Sequence, residues 1–375
     1  MQSFLELPGA VADPVGVASH YGEPLPEQRA LERGAAIVDL SHRGIVTVSG
    51  PDRLSWLHSM TSQQLTGLRP GESTETLLLD PNGRIERAMR VVDDGERSWL
   101  LVDEGSSEPL AAFLQRMRFA LRVEVHDVSN EYAAVLAFTG AGPAAEALRG
   151  LTPAVEEQDP WAAVTGGGVQ YADPEGHAAE GWSVSQFVFA REQLPAVIEL
   201  ASDASGEVRA AGLLSLEALE VRAWRPAQHA DVDERAIPHE FDWLRTAVHL
   251  TKGCYRGQET VAKVHNLGHP PRRLAMLHLD GSGGELPTPG ALVFRAPQPG
   301  QDRDPEARPV GRITRAALHH EWGGIALALL KRALPEDAPL EVELPDTAER
   351  AAAAQEPIVP ADAGATRHIP RLKRL

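Results

Sequence analysis

Cysteine is nearly absent from the sequence, because Cys254 is the only one among 375 residues. One thiol cannot form an intrachain disulfide, which excludes the disulfide-stapled folds of small secreted proteins. No apolar run approaches the roughly 20 residues of a membrane-spanning helix, and the opening MQSFLELPGA lacks the basic and apolar segments of a secretion signal. These absences predict a cytoplasmic protein that makes no membrane contact.

Basic residues are also fewer than acidic ones. The chain has 36 Lys and Arg against 53 Asp and Glu, which gives a formal net charge of −17. A phosphate backbone repels such a chain, so direct nucleic-acid binding is not expected without a local basic patch. With 375 residues, 43% hydrophobic and 24% charged, the composition is that of a globular protein of two or three domains.

The hydrophobic pattern mixes strands and helices without strict alternation. Residues 45–49 are typical of a strand and residues 108–119 of a helix, and residues 76–92 indicate a hairpin that turns at Asn82-Gly83. Such a mixture, joined by tight turns, predicts an α+β fold rather than a doubly wound parallel sheet. From about Pro270 short strand-like pieces alternate with Gly/Pro-rich loops, which predicts a small β-barrel or sandwich.

These changes of pattern divide the chain. We predict an amino-terminal α+β domain over residues 20–150 and a second α+β domain over residues 151–268, with interleaving of the two allowed. A β-barrel-like domain is predicted over residues 269–345. Residues 346–375 have too little apolar content to fold, which predicts a flexible tail.

Two histidine-containing strings have the residue types of a metal site. HNLGH (265–269) has the spacing by which a helix presents two ligands, but Gly268 and the following prolines disfavour a helix there and no third ligand is nearby. HHE (319–321) is a weaker match. No P-loop or G-x-S-x-G string is present. The sequence therefore predicts no metal site and gives no basis for a nucleotide-binding or serine-hydrolase function.

The cysteine lies in KGCYRGQE (252–259), between two glycines and two cations. The glycines allow a close approach of the backbone to another group, and the cations favour the thiolate form of Cys254, the predicted catalytic residue. The motif suits a polar, planar, partly anionic ligand, and the side chains predicted to bind it are Lys252, Tyr255, Arg256, Gln258 and Glu259. We expect these five to line or border a central cavity between the domains. The alternative is that Cys254 is a buried small hydrophobe in a tight turn.

IPHEFDWLRTAVHLTKGCYRGQETVAKVHNLG resembles the signature of the YgfZ-type folate-binding proteins, relatives of the glycine-cleavage T-protein, GcvT. Residues 38–65 are similar to the family's amino-terminal motif, and LLLDPNGRIERAMRV is similar to its hairpin. The resemblance implies a three-domain cloverleaf, with two mixed α+β domains and a carboxy-terminal β-barrel. It also implies a central channel that holds tetrahydrofolate.

The chain departs from the T-proteins in two places. Their hairpin carries an acidic pair, one member of which contacts the reactive part of the folate, whereas here Glu86 is the one acid that remains. Where the family has an arginine that reaches toward the folate, this chain has Glu220, and Arg222 or Arg225 is expected to replace that arginine. Alignment with the family also indicates Glu180 as the acid at the pocket floor that pairs with the pterin edge. Glu86, Arg222 and Glu180 complete the predicted cofactor-binding set.

The resemblance implies a tetrahydrofolate-binding accessory protein for iron–sulfur cluster assembly or repair, which serves iron–sulfur client or assembly proteins through Cys254. A cluster needs about four thiolate-type ligands, so this chain cannot hold a stable cluster alone. The incomplete acidic pair and the cysteine form of KGCYRGQE, which T-proteins normally lack, both count against a stand-alone aminomethyltransferase. Two alternatives stay open. One is a folate-dependent one-carbon transferase in which the folate amine positions Glu86, and the other is a tRNA-modification partner.

Overall fold

The computed structural model of the protein describes residues 3–202, 206–281, 285–297, 300–304, 306–345 and 349–366. The α-helices are α1 Pro24–Glu32, α2 Arg53–Met60, α3 Ser107–Met117, α4 Ala144–Gly150, α5 Leu194–Leu200, α6 Leu213–Arg222, α7 Gln228–Asp231 and α8 Gln258–Leu267. Short 3-10 turns are Phe4–Glu6, Pro160–Ala162, Arg191–Gln193, Pro238–Phe241 and Trp243–Arg245. Within these described ranges no helix combines the length and the hydropathy that a membrane crossing requires.

The strands form two five-stranded sheets, a closed barrel and a separate pair, β1–β2. The strands are β1 Val11–Ala12, β2 Ala18–His20, β3 Ala36–Asp39, β4 Gly44–Ser49, β5 Ser73–Leu79, β6 Ile85–Asp93, β7 Arg97–Val102, β8 Glu124–Asp127, β9 Tyr132–Phe138, β10 Val155–Gln158, β11 Val184–Ala190, β12 Arg209–Ala211, β13 Arg272–Leu279, β14 Leu292–Arg295, β15 Gly311–His319, β16 Gly323–Lys331, β17 Leu340–Glu343 and β18 Arg350–Pro357.

The first sheet has the order β5-β6-β7-β4-β8 and is antiparallel throughout. Antiparallel neighbours can be joined by short turns, and the turn between β5 and β6 contains Gly83 at a φ of 77°, as the Asn-Gly pair predicts. Its apolar residues pack against α3, whose Leu110 and Leu114 are buried in the same core cluster as Val46 and Leu100. One face of the sheet is thereby removed from water.

The second sheet has the order β10-β11-β9-β3-β12. Its strand β3 precedes the first sheet in the chain, whereas β9 to β12 follow that sheet. The two α+β units therefore interleave, which the sequence analysis allowed, and β9 belongs to the second sheet although it falls within residues 20–150. The predicted α+β class is confirmed, because each of the two sheets has helices packed on its faces.

The carboxy-terminal strands close into a barrel of order β13-β16-β15-β14-β17-β18. The predicted β-barrel is confirmed, but the predicted tail is wrong for residues 350–357, which form β18. This strand pairs with β13 on one side and with β17 on the other. Because closure supplies backbone partners to both edges, a strand of mostly alanines is held by its ladder rather than by large apolar side chains. Residues 346–348 and 367–375 of the predicted tail lie outside the described residues.

The loop that holds the cysteine packs against the turn between β5 and β6. Gly257 has a φ of 82°, and a Cβ atom at this position would lie 2.6 Å from the carbonyl oxygen of Asp80. A glycine is therefore required here both by conformation and by space. Helix α8 starts at the next residue and continues to Leu267, so the expectation that no helix covers His265 is wrong. The helix ends at Gly268, as the glycine indicates.

Candidate functional site

Three adjoining cavities meet at Asp103, directly after β7. The inner compartment, of about 30 Å³, is enclosed by β6, β7 and the segment 225–228. The α6 pocket, of about 290 Å³, runs along α6. The β6 pocket, also of about 290 Å³, runs along the start of β6 and α7. We call the three together the central cavity. It lies where the first sheet meets α6, the helix that packs on barrel strand β15.

Arg225 is the main charged group in the wall of the inner compartment, and only 1% of its surface is exposed. Its Nη2 donates to Glu75 at 2.7 Å, and its Nε donates to Asp159 at 3.0 Å. Thr246 also donates to Glu75, at 2.7 Å, and Arg90 reaches Asp159 at 3.4 Å. Arg225 thus connects Glu75 of the wall to Asp159 behind it in a buried network of opposite charges, and Asp159 also accepts from Trp161 and Trp182.

The two acids beside Arg225 have pKa shifts in opposite directions. Burial favours the neutral form of Asp159, but the charges of Arg225 and Arg90 outweigh burial and lower the pKa of Asp159 to about 2. For Glu157 burial dominates and raises the pKa to about 8. The two arginines therefore favour the ionised form of Asp159, whereas burial favours the neutral form of Glu157.

Asp103 fixes His229 where the three cavities meet. The Asp103 carboxylate accepts from the backbone N–H of His229 at 2.9 Å and from the ring Nδ1 at 3.2 Å. Burial favours a neutral Asp103, but the hydrogen bond from His229 and the nearby Arg43 outweigh it and lower the pKa of Asp103. The same hydrogen bond raises the pKa of His229. The ring therefore carries its proton on Nδ1 and directs Nε2 away from the carboxylate.

Glu220 occupies the position where the resemblance predicts an arginine. Its carboxylate is buried and accepts from Arg315 of the barrel at 2.8 Å, with Arg43 4.0 Å away. Arg315 also pairs with Asp231 at 3.0 Å. Glu220 thus carries a negative charge where the resemblance predicts a positive one, and Arg315, a buried arginine of the barrel, balances it.

Several donors in the inner compartment have no protein partner among the described residues. These buried atoms are Nη1 of Arg43, Nε of Arg90, Nη1 of Arg225 and Nε1 of Trp243. An unsatisfied buried donor is unfavourable unless a ligand or water accepts from it. At about 30 Å³ the compartment has room for about one or two water-sized groups, which can accept from these donors.

Lys252 is a structural residue of the KGCYRGQE loop. Its ammonium group donates to the backbone carbonyls of His58, Thr61 and Gln63, the last at 2.9 Å. Burial lowers the pKa of Lys252 to about 7, whereas three carbonyl acceptors match the three donors of the charged form. Tyr255 is also buried, with the Lys252 ammonium 5.0 Å from its ring centre. Both side chains hold the loop in place.

Arg256 connects the loop to the central cavity. Its Nη1 lies 2.9 Å from the carboxylate of Glu86, and Glu86 lines the β6 pocket. Gln258 turns back toward the loop and donates to the carbonyl of Lys252 at 3.3 Å, while Glu259 is exposed in the first turn of α8. Cys254 is exposed.

The loop borders the central cavity and does not line it. None of the five predicted binding side chains is among the lining residues, and the loop reaches the rim through the pair of Arg256 and Glu86. The alternative prediction, that Cys254 is a buried hydrophobe, is wrong, because the thiol is exposed. Within the described residues neither Lys252 nor Arg256 has the thiol as a hydrogen-bond partner, since both cations are engaged elsewhere.

Two further predicted residues lie away from the central cavity. Glu180 is exposed in a turn, where its backbone N–H donates to the carbonyl of His177, so its placement at a pocket floor is wrong. Arg222 stacks on the ring of Trp322, 3.6 Å from the ring centre, so it does not replace the family's arginine in the cavity. Helix geometry explains the second case, because residues 220 and 222 project about 200° apart around the axis of α6. Arg225, the other option, does line the cavity.

Glu32, His319 and His320 form the one group of metal-ligand types that lies together in the described part of the chain. His320 Nε2 lies 2.6 Å from the Glu32 carboxylate, and the two imidazole rings stack. Nδ1 of His319 accepts from the backbone N–H groups of Glu321 and Trp322, which places the ring proton on Nε2. Stacked rings do not converge their lone pairs on one cation. The group ties α1 to the barrel.

Sequence reasoning missed most residues of the central cavity. Asp103 and His229 are far apart in the chain and belong to no motif. Glu75 and Asp159 lie in strand-rich stretches, where an acidic residue is ordinarily a solvent-facing position. One signal was available for Asp103. It directly follows the apolar strand β7, and residues at the end of a strand lie at the edge of a sheet, where side chains can reach a site.

The chain is similar to several known proteins. Residues 22–173 match the family profile of the GCVT N-terminal domain. An aminomethyltransferase of Thermus thermophilus is 26% identical over 347 residues, which is 91% of each chain. A tRNA-modifying protein YgfZ of Edwardsiella ictaluri is 26% identical over 250 residues, 64% of this chain and 70% of that protein. Across eight relatives the matched part ranges from 35% to 91% of the relative's length.

The fold is shared with a glycine cleavage system aminomethyltransferase T of Bartonella henselae. Its crystal structure superposes with a TM-score of 0.69 and covers 96% of this chain and 95% of its own, at 17% sequence identity. At that identity the likeness concerns the fold. The chain therefore has a GcvT-like fold, with mixed α+β domains and a carboxy-terminal barrel. The profile covers the amino-terminal part of the chain, and the two relatives named above are each 26% identical to it.

Proposed function

We propose that the protein is a YgfZ-type accessory protein that binds tetrahydrofolate in the central cavity and serves iron–sulfur cluster assembly or repair through Cys254. The observation that carries the proposal is the ion pair of Arg256 and Glu86. It joins the loop of an exposed thiol to the rim of a cavity at 2.9 Å. A ligand in the β6 pocket would therefore act on the position of the thiol loop.

The cavity has groups that suit a folate. The unpartnered donors of Arg43 and Trp243 face the inner compartment, and Asp103 and Glu220 supply carboxylate acceptors beside it. A pterin presents neighbouring donors and acceptors on one edge, which such a wall can pair. Bound tetrahydrofolate would supply one-carbon chemistry or a structural signal. The residues of this chain would orient it and exclude water from its polar edge.

The chain would contribute one sulfur ligand and no more. Cys254 is exposed, so a client protein can reach it without local unfolding. An iron–sulfur cluster is held by about four thiolates, so a single thiol suits a transient ligand during transfer or a mixed disulfide with a client. Partners of this kind, in the cytoplasm, are part of the proposal.

Calorimetric titration with 5-formyl-tetrahydrofolate and tetrahydrofolate tests the cofactor. We expect saturable binding to the wild type and equal binding to Cys254→Ser, since the thiol does not line the central cavity. Arg43→Gln removes an unpartnered donor of the inner compartment and should weaken binding roughly tenfold. Arg118→Gln, at an exposed position outside the central cavity, is the matched control. Absence of binding by the wild type would refute the folate site.

Complementation tests the cellular role. In cells whose iron–sulfur enzymes depend on this protein, the wild type should restore enzyme activity and Cys254→Ser should not. The variant Lys263→Ser, at an exposed position of α8, controls for expression and folding. Full rescue by Cys254→Ser would remove the thiol from the mechanism.

A one-carbon transferase is the second candidate, and one observation favours it. Glu86 keeps a carboxylate in the wall of the β6 pocket, where it would be positioned by the folate amine. Steady-state transfer of a one-carbon unit from methylene-tetrahydrofolate separates the candidates. Robust turnover that is lost in Glu86→Gln and kept in Cys254→Ser would establish the transferase and displace the accessory role.

The name of the Edwardsiella relative raises a partnership in tRNA modification. The net charge of −17 makes direct contact with tRNA unfavourable. We therefore expect no binding of tRNA in a filter assay at physiological salt. Salt-dependent binding there would revive this role.

A further inference from the structure

A short basic segment follows the end of α3 in a chain that is acidic overall. Residues 116–122 read RMRFALR, with three arginines and no acid, whereas the whole chain has a net charge of −17. Arg122 pairs with Asp52 at 2.8 Å. Arg116 and Arg118 are exposed, and within the described residues neither side chain takes part in an ion pair or a hydrogen bond. The segment thus presents two guanidinium groups to solvent.

Two large apolar residues are exposed in the same segment. Phe119 is 80% exposed and Leu121 is 42% exposed. Phe119 also has a φ of 44°, in the left-handed region, where a bulky residue is an outlier. An asparagine or a glycine would adopt this φ with less strain and would expose no aromatic ring to water. Backbone strain of this kind is concentrated at binding and switch sites, which indicates that Phe119 serves a contact outside the isolated chain.

The basic segment is continuous with the loop of the exposed thiol. Phe113 and Met117 lie one turn apart on α3, and both are partly exposed where they pack at the edge of the core of the first sheet. The guanidinium of Arg256 lies 5.7 Å from the centre of the Phe113 ring. Arg256 is two residues from Cys254, so their Cα atoms are at most about 7 Å apart. We call the surface that runs from this loop along α3 the α3 strip, formed by Phe113, Arg116, Met117, Arg118, Phe119 and Leu121.

We propose that the α3 strip docks the partner protein of Cys254 through an acidic patch with apolar residues at its centre. The inference rests on the proposed accessory function and names the surface chemistry of its partner. Arg116 and Arg118 attract the acids of such a patch, and Phe119 and Leu121 supply the apolar contact area. A protein fits the strip better than a nucleic acid does, because a net charge of −17 repels a long polyanion, whereas an acidic patch needs attraction only where it docks.

Disulfide exchange at Cys254 measures this docking on the full chain. The probe is a short peptide in which glutamates flank two leucines, with its one cysteine activated as a mixed disulfide with 5-thio-2-nitrobenzoate. The Cys254 thiol loses its proton to solvent, and the thiolate attacks the peptide sulfur. A disulfide forms between Cys254 and the peptide, and 5-thio-2-nitrobenzoate leaves with the electron pair of the broken S–S bond. Its release gives the rate of exchange.

The comparison is with the same peptide in which glutamine replaces each glutamate. We expect the acidic peptide to exchange at least about threefold faster at about 0.1 M salt, where distant acids of the chain are screened and contacts with the strip are not. The ratio should approach one at about 1 M salt, where the screening length is about 3 Å. Equal rates for the two peptides at the lower salt concentration would overturn the inference.

Two matched pairs of arginines localise the effect. Arg116 lies in the last turn of α3 and Arg118 at its C-cap, and Arg29 and Arg33 are exposed at the same positions of α1, which packs on α6 and β12. Arg116→Gln with Arg118→Gln should bring the ratio close to one, whereas Arg29→Gln with Arg33→Gln should leave it unchanged. An equal loss in both double variants would overturn the assignment to the α3 strip.

Phe119→Asn separates docking from folding, because asparagine adopts a positive φ more readily than phenylalanine does. We expect this variant to keep or raise the urea midpoint of unfolding and to slow exchange with the acidic peptide at least about twofold. Its reaction with iodoacetamide, which needs no docking, should match that of the wild type. Exchange as fast as in the wild type would overturn the role of the apolar centre.

The same measurements distinguish this inference from the proposed function. If native Cys254 does not react with iodoacetamide, the accessory role itself fails. If the thiol reacts but the two peptides exchange equally fast, only the docking surface fails. If oligouridylate slows exchange of the acidic peptide as strongly as an unactivated acidic peptide does, the α3 strip binds nucleic acid and the proposal is overturned.

Discussion

In the inner compartment, charged groups from distant parts of the chain face one another across a shared space. In the KGCYRGQE loop, charged groups that are neighbours in sequence point to different elements. Arg225 meets Glu75 and Asp159, whereas Lys252 binds backbone carbonyls of α2 and the residues after it, and Arg256 binds Glu86. A conspicuous motif can thus serve largely to hold a loop, while the walls of the cavity come from residues that no local pattern connects.

The largest expected effect is in the inner compartment. Arg225→Met keeps much of the volume but leaves Glu75 and Asp159 buried without their main partner. We expect a loss of about 3–5 kcal/mol in the free energy of unfolding, measured by urea denaturation. Arg235→Met, whose side chain is 77% exposed, is the control and should change stability by less than about 0.5 kcal/mol. Equal effects of the two variants would show that the network contributes nothing to stability.

The second effect concerns the loss of stability at acidic pH, and we expect it from His239, a buried histidine that packs beside the KGCYRGQE loop. His239 Nε2 donates to the carbonyl of Val261 in α8, and burial lowers the pKa of His239 to about 4. The unfolded chain takes up this proton near pH 6.5 and the folded chain only near pH 4. The unfolded state thus binds more protons in this window, so stability falls as pH falls from about 6.5 to about 4, by up to about 3 kcal/mol.

His239→Gln tests this slope, because glutamine keeps a donor but does not titrate. We expect the variant to lose less stability than the wild type between about pH 7.5 and about pH 4.5 in urea denaturation. His126→Gln, at a ring that is 63% exposed, should leave the slope unchanged. A wild-type slope in His239→Gln would assign the acid sensitivity to other groups.

The third effect is in the KGCYRGQE loop itself. Lys252→Met leaves three carbonyl oxygens without their shared donor, and we expect a loss of about 2 kcal/mol in the free energy of unfolding. Lys263→Met at an exposed position of α8 should be close to neutral. If the two lysine variants were equally stable, Lys252 would be free for a role in ligand binding, as the sequence first indicated.

The parts of the fold that local patterns dictate could be predicted from the sequence. The hairpin at Asn82-Gly83 and the strands of the barrel follow from turn residues and alternation. Strand β18 could not be predicted, because alanines at 351–354 carry no apolar signal and depend on β13 and β17 for their pairing. The same holds for the site. Glu86 was found through a resemblance, whereas Asp103 and His229 meet only through the tertiary fold.

The smallest effect on stability is expected at Cys254. Its contribution to the free energy of unfolding differs most from that of the charged groups of the inner compartment. The thiol is exposed, so Cys254→Ala should change the free energy of unfolding by less than about 0.5 kcal/mol. For the same reason the native protein should react with an alkylating agent about as fast as the unfolded chain does. A residue that contributes so little to the fold and yet is needed in cells would have to act through its chemistry. Native alkylation more than about a hundredfold slower than that of the unfolded chain would show that the thiol is covered, and would remove the exposed sulfur on which the accessory role depends.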